Sequence, residues 1–185
     1  MKTINDVPSD AGDWRRKIAP HPAMCTWVAM FGRVNKQSGP YIGCSVCDEW
    51  HTYSVFKAWY ISHPHWDTWE LDKDLLLPGN KVYGPDYCCL IPRQINAFIR
   101  VFNTKYKTGA SFANARAHLD TPWAASISEY NILTGKTVRK YLGYFLTEDD
   151  AHMAWKNRKY ELACMFSDMY QLSDNIAEAL KTRYL

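Results

Sequence analysis

The sequence has no long apolar run and no excess of charge of one sign. No stretch of it approaches the roughly 20 apolar residues that a membrane-spanning helix requires. The N-terminal segment, MKTINDVPSDAGDW, also lacks the apolar core of a signal peptide. We therefore expect no membrane partner and a cytoplasmic location, where the six cysteines should stay mostly reduced.

Internal repeats and low-complexity segments are absent as well, so the chain should fold into ordinary globular modules. Its 185 residues predict one or two small domains. A hydrophobic content of 47% is sufficient for a packed core. The net charge of +3 permits nucleic acid as a partner without requiring it.

The first half of the chain predicts helices separated by turns. Helices are expected over residues 14–18, 24–34 and 53–62, with a short strand at 42–46. Residues 70–96 then predict a strand, a loop, a second strand and a helix. Pro78-Gly79-Asn80 has turn chemistry, and Pro92 is well placed to start a helix that continues to about residue 103.

The second half changes character after a basic segment at 105–109. Strands are predicted at 111–115, 123–130 and 138–145. Thr147 is a good N-cap for a long helix, because three acidic residues follow it in the first turn. A last helix is expected over 174–180.

The segment 70–96 also contains oxygen-bearing side chains at both of its ends. Asp72 and Asp74 flank Lys73, and Asn96 lies on the helix that closes the segment. Carboxylate and amide oxygens of this kind can hold one hard divalent cation. If the first strand continued through these residues, alternation would place Lys73 on the face opposite the two carboxylates. The alternative is an acidic surface turn that binds no metal.

Several motifs together resemble a known family. They are GCSVCDEW, LDKDLL, GNKVY and CCLIPRQIN in the first half, and WAASI and GKTVRKYLGYFLTEDDAHMAW in the second. The first group is similar to the ββα-metal core of the HNH-type homing endonucleases that phages carry. The second resembles the AP2-type DNA-binding module, which has three strands and a helix. The resemblance extends from about residue 41 to about residue 170, and for a phage protein it implies the host cytoplasm.

The resemblance implies roles for individual residues. Asp72, Asp74 and Asn96 would hold Mg²⁺ or Mn²⁺. Asp72, Lys73, Asp74 and Asn80 would form the catalytic group, with Asn80 stabilising the loop. A cation held by two protein oxygens keeps positions open for water and for a phosphate oxygen.

The chain departs from the family at the general base, which is usually a histidine. No histidine lies between residues 70 and 96, and Lys73 would need a strongly lowered pKa to act as a base at neutral pH. Three explanations remain open. Asp72 or Asp74 is the base, or His63 or His65 moves in from upstream, or the protein binds DNA and cuts it poorly.

Basic residues near the predicted three-stranded sheet are candidates for DNA contact. In the AP2-like arrangement, arginines and lysines on the sheet reach phosphates and base edges. The alternative is an ordinary solvated sheet face. The candidates are Lys105, Lys107, Arg116, Lys136, Arg139 and Lys140.

Four cysteines raise the question of structural zinc. Cys44 and Cys47 form a CxxC pair, but the adjacent Cys88 and Cys89 have the wrong spacing for the other half of a zinc site, because neighbouring strand residues face opposite sides. Buried free thiols are the expectation.

These observations predict an α+β protein made of two modules. The expected divisions are an N-terminal region at 1–40, an HNH-like ββα-metal nuclease domain at 41–104, an AP2-like domain at 105–170 and a helical tail at 171–185. The expected activity is Mg²⁺-dependent hydrolysis of phosphodiester bonds in duplex DNA. The alternatives are a DNA-binding protein derived from such a nuclease and an interaction protein with a protein target. Whether the chain is a monomer or a homodimer is left open.

Overall fold

A computed structural model describes residues 20–100, 104–131 and 134–185. The chain divides into two compact units, Met1–Asn96 and Ala97–Leu185. Both helices and small sheets are present, which confirms the predicted α+β class. The helix expected at 14–18 lies outside the described residues. In the part of the chain that is described, no helix is both long and apolar enough to cross a membrane.

The helices of the first unit enclose an aromatic core. Helix α1 covers Pro22–Lys36 and helix α2 covers Tyr53–Ile61, close to the predicted spans. Short 3₁₀ turns follow α1 and precede α2. The Trp27 indole N–H donates to the Trp50 carbonyl at 2.8 Å. Because this donor is satisfied inside the core, the large indole can be buried without losing a hydrogen bond.

Two small sheets accompany these helices. Strand β1 (Ser45–Val46) pairs in parallel with β3 (Val82–Tyr83). The sequence predicted neither strand β3 nor this pairing. Strand β2 (Glu70–Asp72) pairs antiparallel with β4 (Cys89–Ile91). Helix α3 (Arg93–Phe98) follows β4 and ends earlier than expected, with residues 99 and 100 already outside the helix. The end predicted near residue 103 falls among undescribed residues.

The second unit is a three-stranded sheet with a long helix. Strands β5 (Ala110–Phe112), β6 (Trp123–Asn131) and β7 (Lys136–Phe145) are antiparallel neighbours in that order. Helix α4 (Glu148–Met169) packs on this sheet, and helix α5 (Asp174–Thr182) follows. The Thr147 side chain accepts the Asp150 amide at 3.1 Å, which confirms the predicted N-cap.

A lysine is buried in this second unit. Lys159, on α4, is only 7% exposed. Its ammonium donates to the Phe98 carbonyl and lies 3.6 Å from the centre of the Phe98 ring, with the rings of Trp155 and Tyr184 also close. Burial lowers the pKa of Lys159 to about 8, and the charge of Arg183 acts in the same direction.

Candidate functional site

The frame of the first candidate site is the antiparallel pair β2 and β4 with the helix that follows it. Glu70 lies opposite Ile91, and Asp72 lies opposite Cys89. Helix α3 starts immediately after β4 and carries Asn96 in its second half. The order strand, loop, strand, helix predicted for 70–96 is therefore present, with β3 as an additional short strand inside the loop.

Asp72 ends strand β2 and anchors the start of the loop. Its side chain is 8% exposed, and its Oδ1 accepts the backbone amides of Asp74 at 2.9 Å and Leu75 at 2.7 Å. Two amide donors stabilise an ionised carboxylate in a buried position. The Asp72 carboxylate is therefore fixed in place by its own turn.

Lys73 and Asp74 follow the strand and contact each other. Lys73 is 5% exposed, and its ammonium donates to Asp74 Oδ1 at 2.6 Å and to the Asn80 carbonyl at 2.8 Å. The predicted strand alternation over these residues does not hold, because β2 ends at Asp72 and the chain bends there. Asp74 remains accessible, with 44% of its side chain exposed.

Asn80 holds the two sides of the loop together. Its Nδ2 donates to the Lys73 carbonyl at 2.9 Å and to the Val82 carbonyl at 2.7 Å, while its Oδ1 accepts the Val82 amide at 3.0 Å. The side chain is 8% exposed. Gly79 precedes it with a φ of 78°, a left-handed conformation that glycine adopts without strain.

Asn96 turns its amide towards strand β2. Its Nδ2 donates to Glu70 Oε2 at 2.8 Å, and Arg93 on the same face of α3 approaches Glu70 Oε1 at 4.0 Å. Sequence reasoning missed Glu70. The available signal was its position two residues before Asp72, which places both carboxylates on one face of a strand.

The donor set matches a hard cation in chemistry. Glu70 and Asp72 share a face of β2, and the Asn96 amide nitrogen donates to Glu70, so two carboxylates and one side-chain amide lie near the same side of the strand. Asp74 Oδ1 is paired with Lys73. No group of three or more His, Cys, Asp or Glu side chains arranged for a metal occurs within the described ranges.

The upstream histidines have partners in their own segment. His63 Nδ1 lies 2.7 Å from the Trp59 carbonyl, and its ring packs against the Trp59 ring. The His65 ring stacks on Trp69 with centroids 4.6 Å apart. Either histidine would have to leave these contacts to act as a base for the site.

The cysteines are free thiols in the structure. Burial raises the pKa of Cys88 to about 12 and raises that of Cys89 as well. Zinc binds thiolates, whereas burial by itself favours the neutral thiol at these two positions.

The second candidate site is the sheet face opposite helix α4. Ser126 lies opposite Tyr141, and Ala125 opposite Gly143, so Leu142 forms a bulge in β7. The bulge places Tyr141 and Tyr144 on the same face, where their rings are 5.1 Å apart. Without it, residues three apart on a strand would point to opposite faces.

Two arginines are held on this face. Arg139 donates to Ser126 Oγ from Nε at 3.1 Å and from a terminal nitrogen at 2.9 Å. The Arg116 guanidinium lies 3.9 Å from the centre of the Tyr144 ring and also donates to Thr121 Oγ1 at 3.2 Å. Both cations are thus oriented before any ligand arrives. We call this surface, formed by Arg116, Ser126, Arg139, Tyr141 and Tyr144, the arginine–tyrosine face.

The predicted lysines of β7 lie on the other side of the sheet. Lys140 is opposite the buried Ile127, and its ammonium lies 3.9 Å from Glu129. Arg158 of α4 makes two hydrogen bonds to the same carboxylate and lowers the pKa of Glu129. Lys136 shares this side with Lys140 by alternation. The structure therefore separates Arg139 from the two lysines.

The lysines of the basic segment at 105–109 have local contacts. The Lys107 ammonium pairs with Asp149, and its backbone amide donates to Glu148, so this residue is tied to the first turn of α4. The Lys105 ammonium lies 5.1 Å from the Tyr106 ring centre.

Comparisons of the chain with protein-family models, with curated proteins and with solved structures give no match. The resemblance to HNH and AP2 modules therefore rests on the sequence motifs alone.

Proposed function

We propose that this protein is a Mg²⁺-dependent DNA endonuclease of the HNH type that binds duplex DNA through its second unit. The observation that carries this proposal is the strand–loop–strand–helix frame in which Asn96 of α3 is bonded to the face of β2 that Asp72 shares. The loop between the strands, which hydrogen bonds between Lys73 and Asn80 hold in place, supports the proposal further.

Asp72 and Asn96 would hold the divalent cation. When bound, such a cation stabilises the charge that develops on the leaving 3′ oxygen and orients the phosphate. Two backbone amides already fix the Asp72 carboxylate in the position from which it would bind the cation. Lys73 and Asn80 maintain the loop geometry on which the position of Asp72 depends.

Asp74 is the group that we place as proton acceptor for the attacking water. Its carboxylate is 44% exposed, and one oxygen is held by the Lys73 ammonium. A carboxylate oriented in this way can take a proton from water. Lys73 then acts as an orienting group, because its donors are committed to Asp74 and to the Asn80 carbonyl.

The arginine–tyrosine face is the proposed DNA-binding surface. Arginine pairs with phosphate oxygens or with the O6 and N7 edge of guanine, and tyrosine hydroxyls reach phosphates. Lys136 and Lys140 are assigned no DNA contact, since they lie on the opposite side of the sheet.

The second candidate function is DNA binding without cleavage. It is favoured by one observation: the buried Lys73, next to Asp72 in sequence where the resembled family has a histidine base, places its ammonium on Asp74. In that case Lys73 would be a purely structural ion-pair partner.

Paired substitutions test the DNA-binding part. Arg139→Ala should weaken binding to a randomised pool of duplexes by about tenfold or more, since a hydrogen bond from arginine to a charged phosphate contributes about 1.5–3 kcal/mol. Lys136→Ala removes the same charge from the other side of the sheet and should leave binding within about twofold. Equal losses in the two variants would mean that general charge, and not this face, binds the DNA.

A further inference from the structure

We propose that Glu70 is a positioning residue that orients the Asn96 amide so that its oxygen, and not its nitrogen, is presented to the cation. This inference rests on the proposed function, because it concerns the same metal site. The resemblance to HNH nucleases assigns no role to Glu70.

The contact is specific in its chemistry. Asn96 Nδ2 donates to Glu70 Oε2 at 2.8 Å, and an ionised carboxylate can only accept. Rotating the amide by half a turn would bring Asn96 Oδ1 against the carboxylate oxygen, which replaces a charge-assisted hydrogen bond by repulsion. Glu70 therefore selects one of the two amide orientations.

The selected orientation is the one that a hard cation needs. With Nδ2 committed to Glu70, Asn96 Oδ1 receives no hydrogen bond from any donor in the described part of the chain. Magnesium and manganese bind oxygen donors, and an amide nitrogen is not a ligand for them. Partners behind a metal ligand commonly contribute about 10- to 100-fold in metal affinity.

A purely structural role for Glu70 is a weaker explanation. Its approach to Arg93 is 4.0 Å, and the side chains are 43% and 85% exposed. Ion pairs this exposed contribute little to stability. The removal of Glu70 should therefore affect the Asn96 amide more than it affects folding.

Two variants separate geometry from charge. Glu70→Gln keeps an oxygen that can accept from Asn96 Nδ2, whereas Glu70→Leu removes it. The probe is Mn²⁺ alone, with free Mn²⁺ measured by electron paramagnetic resonance on the full chain. We expect Glu70→Leu to lose at least tenfold in Mn²⁺ affinity and Glu70→Gln to stay within about threefold of wild type. Glu178→Leu, an exposed glutamate in the second unit, is the matched control and should change nothing.

A second readout works without metal. The side-chain amide resonance of Asn96, assigned by its absence in Asn96→Ala, should shift in Glu70→Leu and stay near its wild-type position in Glu70→Gln. An unchanged resonance in Glu70→Leu would show that the hydrogen bond does not exist in solution and would overturn the inference.

The remaining outcomes distinguish the inference from the proposed function. Wild-type Mn²⁺ affinity in Glu70→Leu overturns the role of Glu70 alone. Equal losses in both variants would mean that the charge of Glu70 binds the cation directly, which also overturns a positioning role. If wild type binds no Mn²⁺, the metal site of the proposed function fails and the inference fails with it, even where the amide resonance reports the hydrogen bond.

Discussion

Replacement of Asn80 by alanine tests whether the loop of the candidate nuclease site is held by a single side chain. The substitution removes three hydrogen bonds, two from Nδ2 to the carbonyls of Lys73 and Val82 and one from the Val82 amide to Oδ1. Alanine has no atom that can replace them, and the position is 8% exposed, so water reaches it poorly.

The expected magnitude follows from the number of bonds. Each hydrogen bond contributes about 1 kcal/mol net, so the loss should be about 3 kcal/mol in the free energy of unfolding of the first unit. For a unit of this size, that corresponds to a fall of roughly 12–24 °C in Tm. Local loosening should also release Lys73, whose ammonium is bonded to the Asn80 carbonyl at 2.8 Å.

The assay is urea unfolding followed by tryptophan fluorescence. Asn114→Ala, at an exposed position of the second unit, is the matched control and should stay within about 0.5 kcal/mol of wild type. If Asn80→Ala also stays within that range, the loop does not depend on this side chain and the reasoning is refuted.

Two further predictions concern the second unit. Lys159 has a pKa of about 8 in the folded protein against 10.5 when exposed, so its burial is most costly below pH 8 and the cost is relieved as the pH rises to about 10.5. The difference between these two pKa values corresponds to about 3 kcal/mol. Unfolding measurements should therefore show that Lys159→Met is more stable than wild type by about this much near pH 7 and that the gain is lost near pH 10.5. A difference that does not change with pH would contradict the burial of the Lys159 ammonium. Gly109 has a φ of 84°, and a Cβ at this position would overlap the Trp155 side chain. Gly109→Ala should therefore lower the Tm by roughly 10 °C or more. An unchanged Tm would contradict this packing.

Local signals explain why the frame of the first site could be predicted from the sequence. The Gly79-Asn80 turn and Pro92 mark the ends of elements by backbone chemistry that acts within a few residues. Strand β3 was not predicted because it has only two residues and pairs with β1, which lies far away in sequence. Such a pairing leaves no periodic pattern in either segment.

The side chains of the two sites were predictable only in part. Asp72 and Asn96 follow from the motifs, but the hydrogen bond from Asn96 to Glu70 joins residues 26 apart and has no local signature. On the sheet, the bulge at Leu142 decides which residues share a face, and a sequence with regular alternation would separate Tyr141 from Tyr144. The prediction that Arg139 shares a face with these tyrosines therefore requires the register of β6 against β7, which only the structure gives.

The most direct test of the central claim is cleavage of duplex DNA by the wild-type protein and by Asn96→Ala in the presence of Mg²⁺ or Mn²⁺. Supercoiled plasmid and a randomised pool of linear duplexes serve as substrates, and DNA affinity is measured in parallel without metal. We expect wild type to nick or cut the DNA, and we expect Asn96→Ala to lose this activity while its DNA affinity stays within about twofold. Uncut DNA with wild type, or equal cutting by the variant, would contradict a nuclease site built on Asp72 and Asn96.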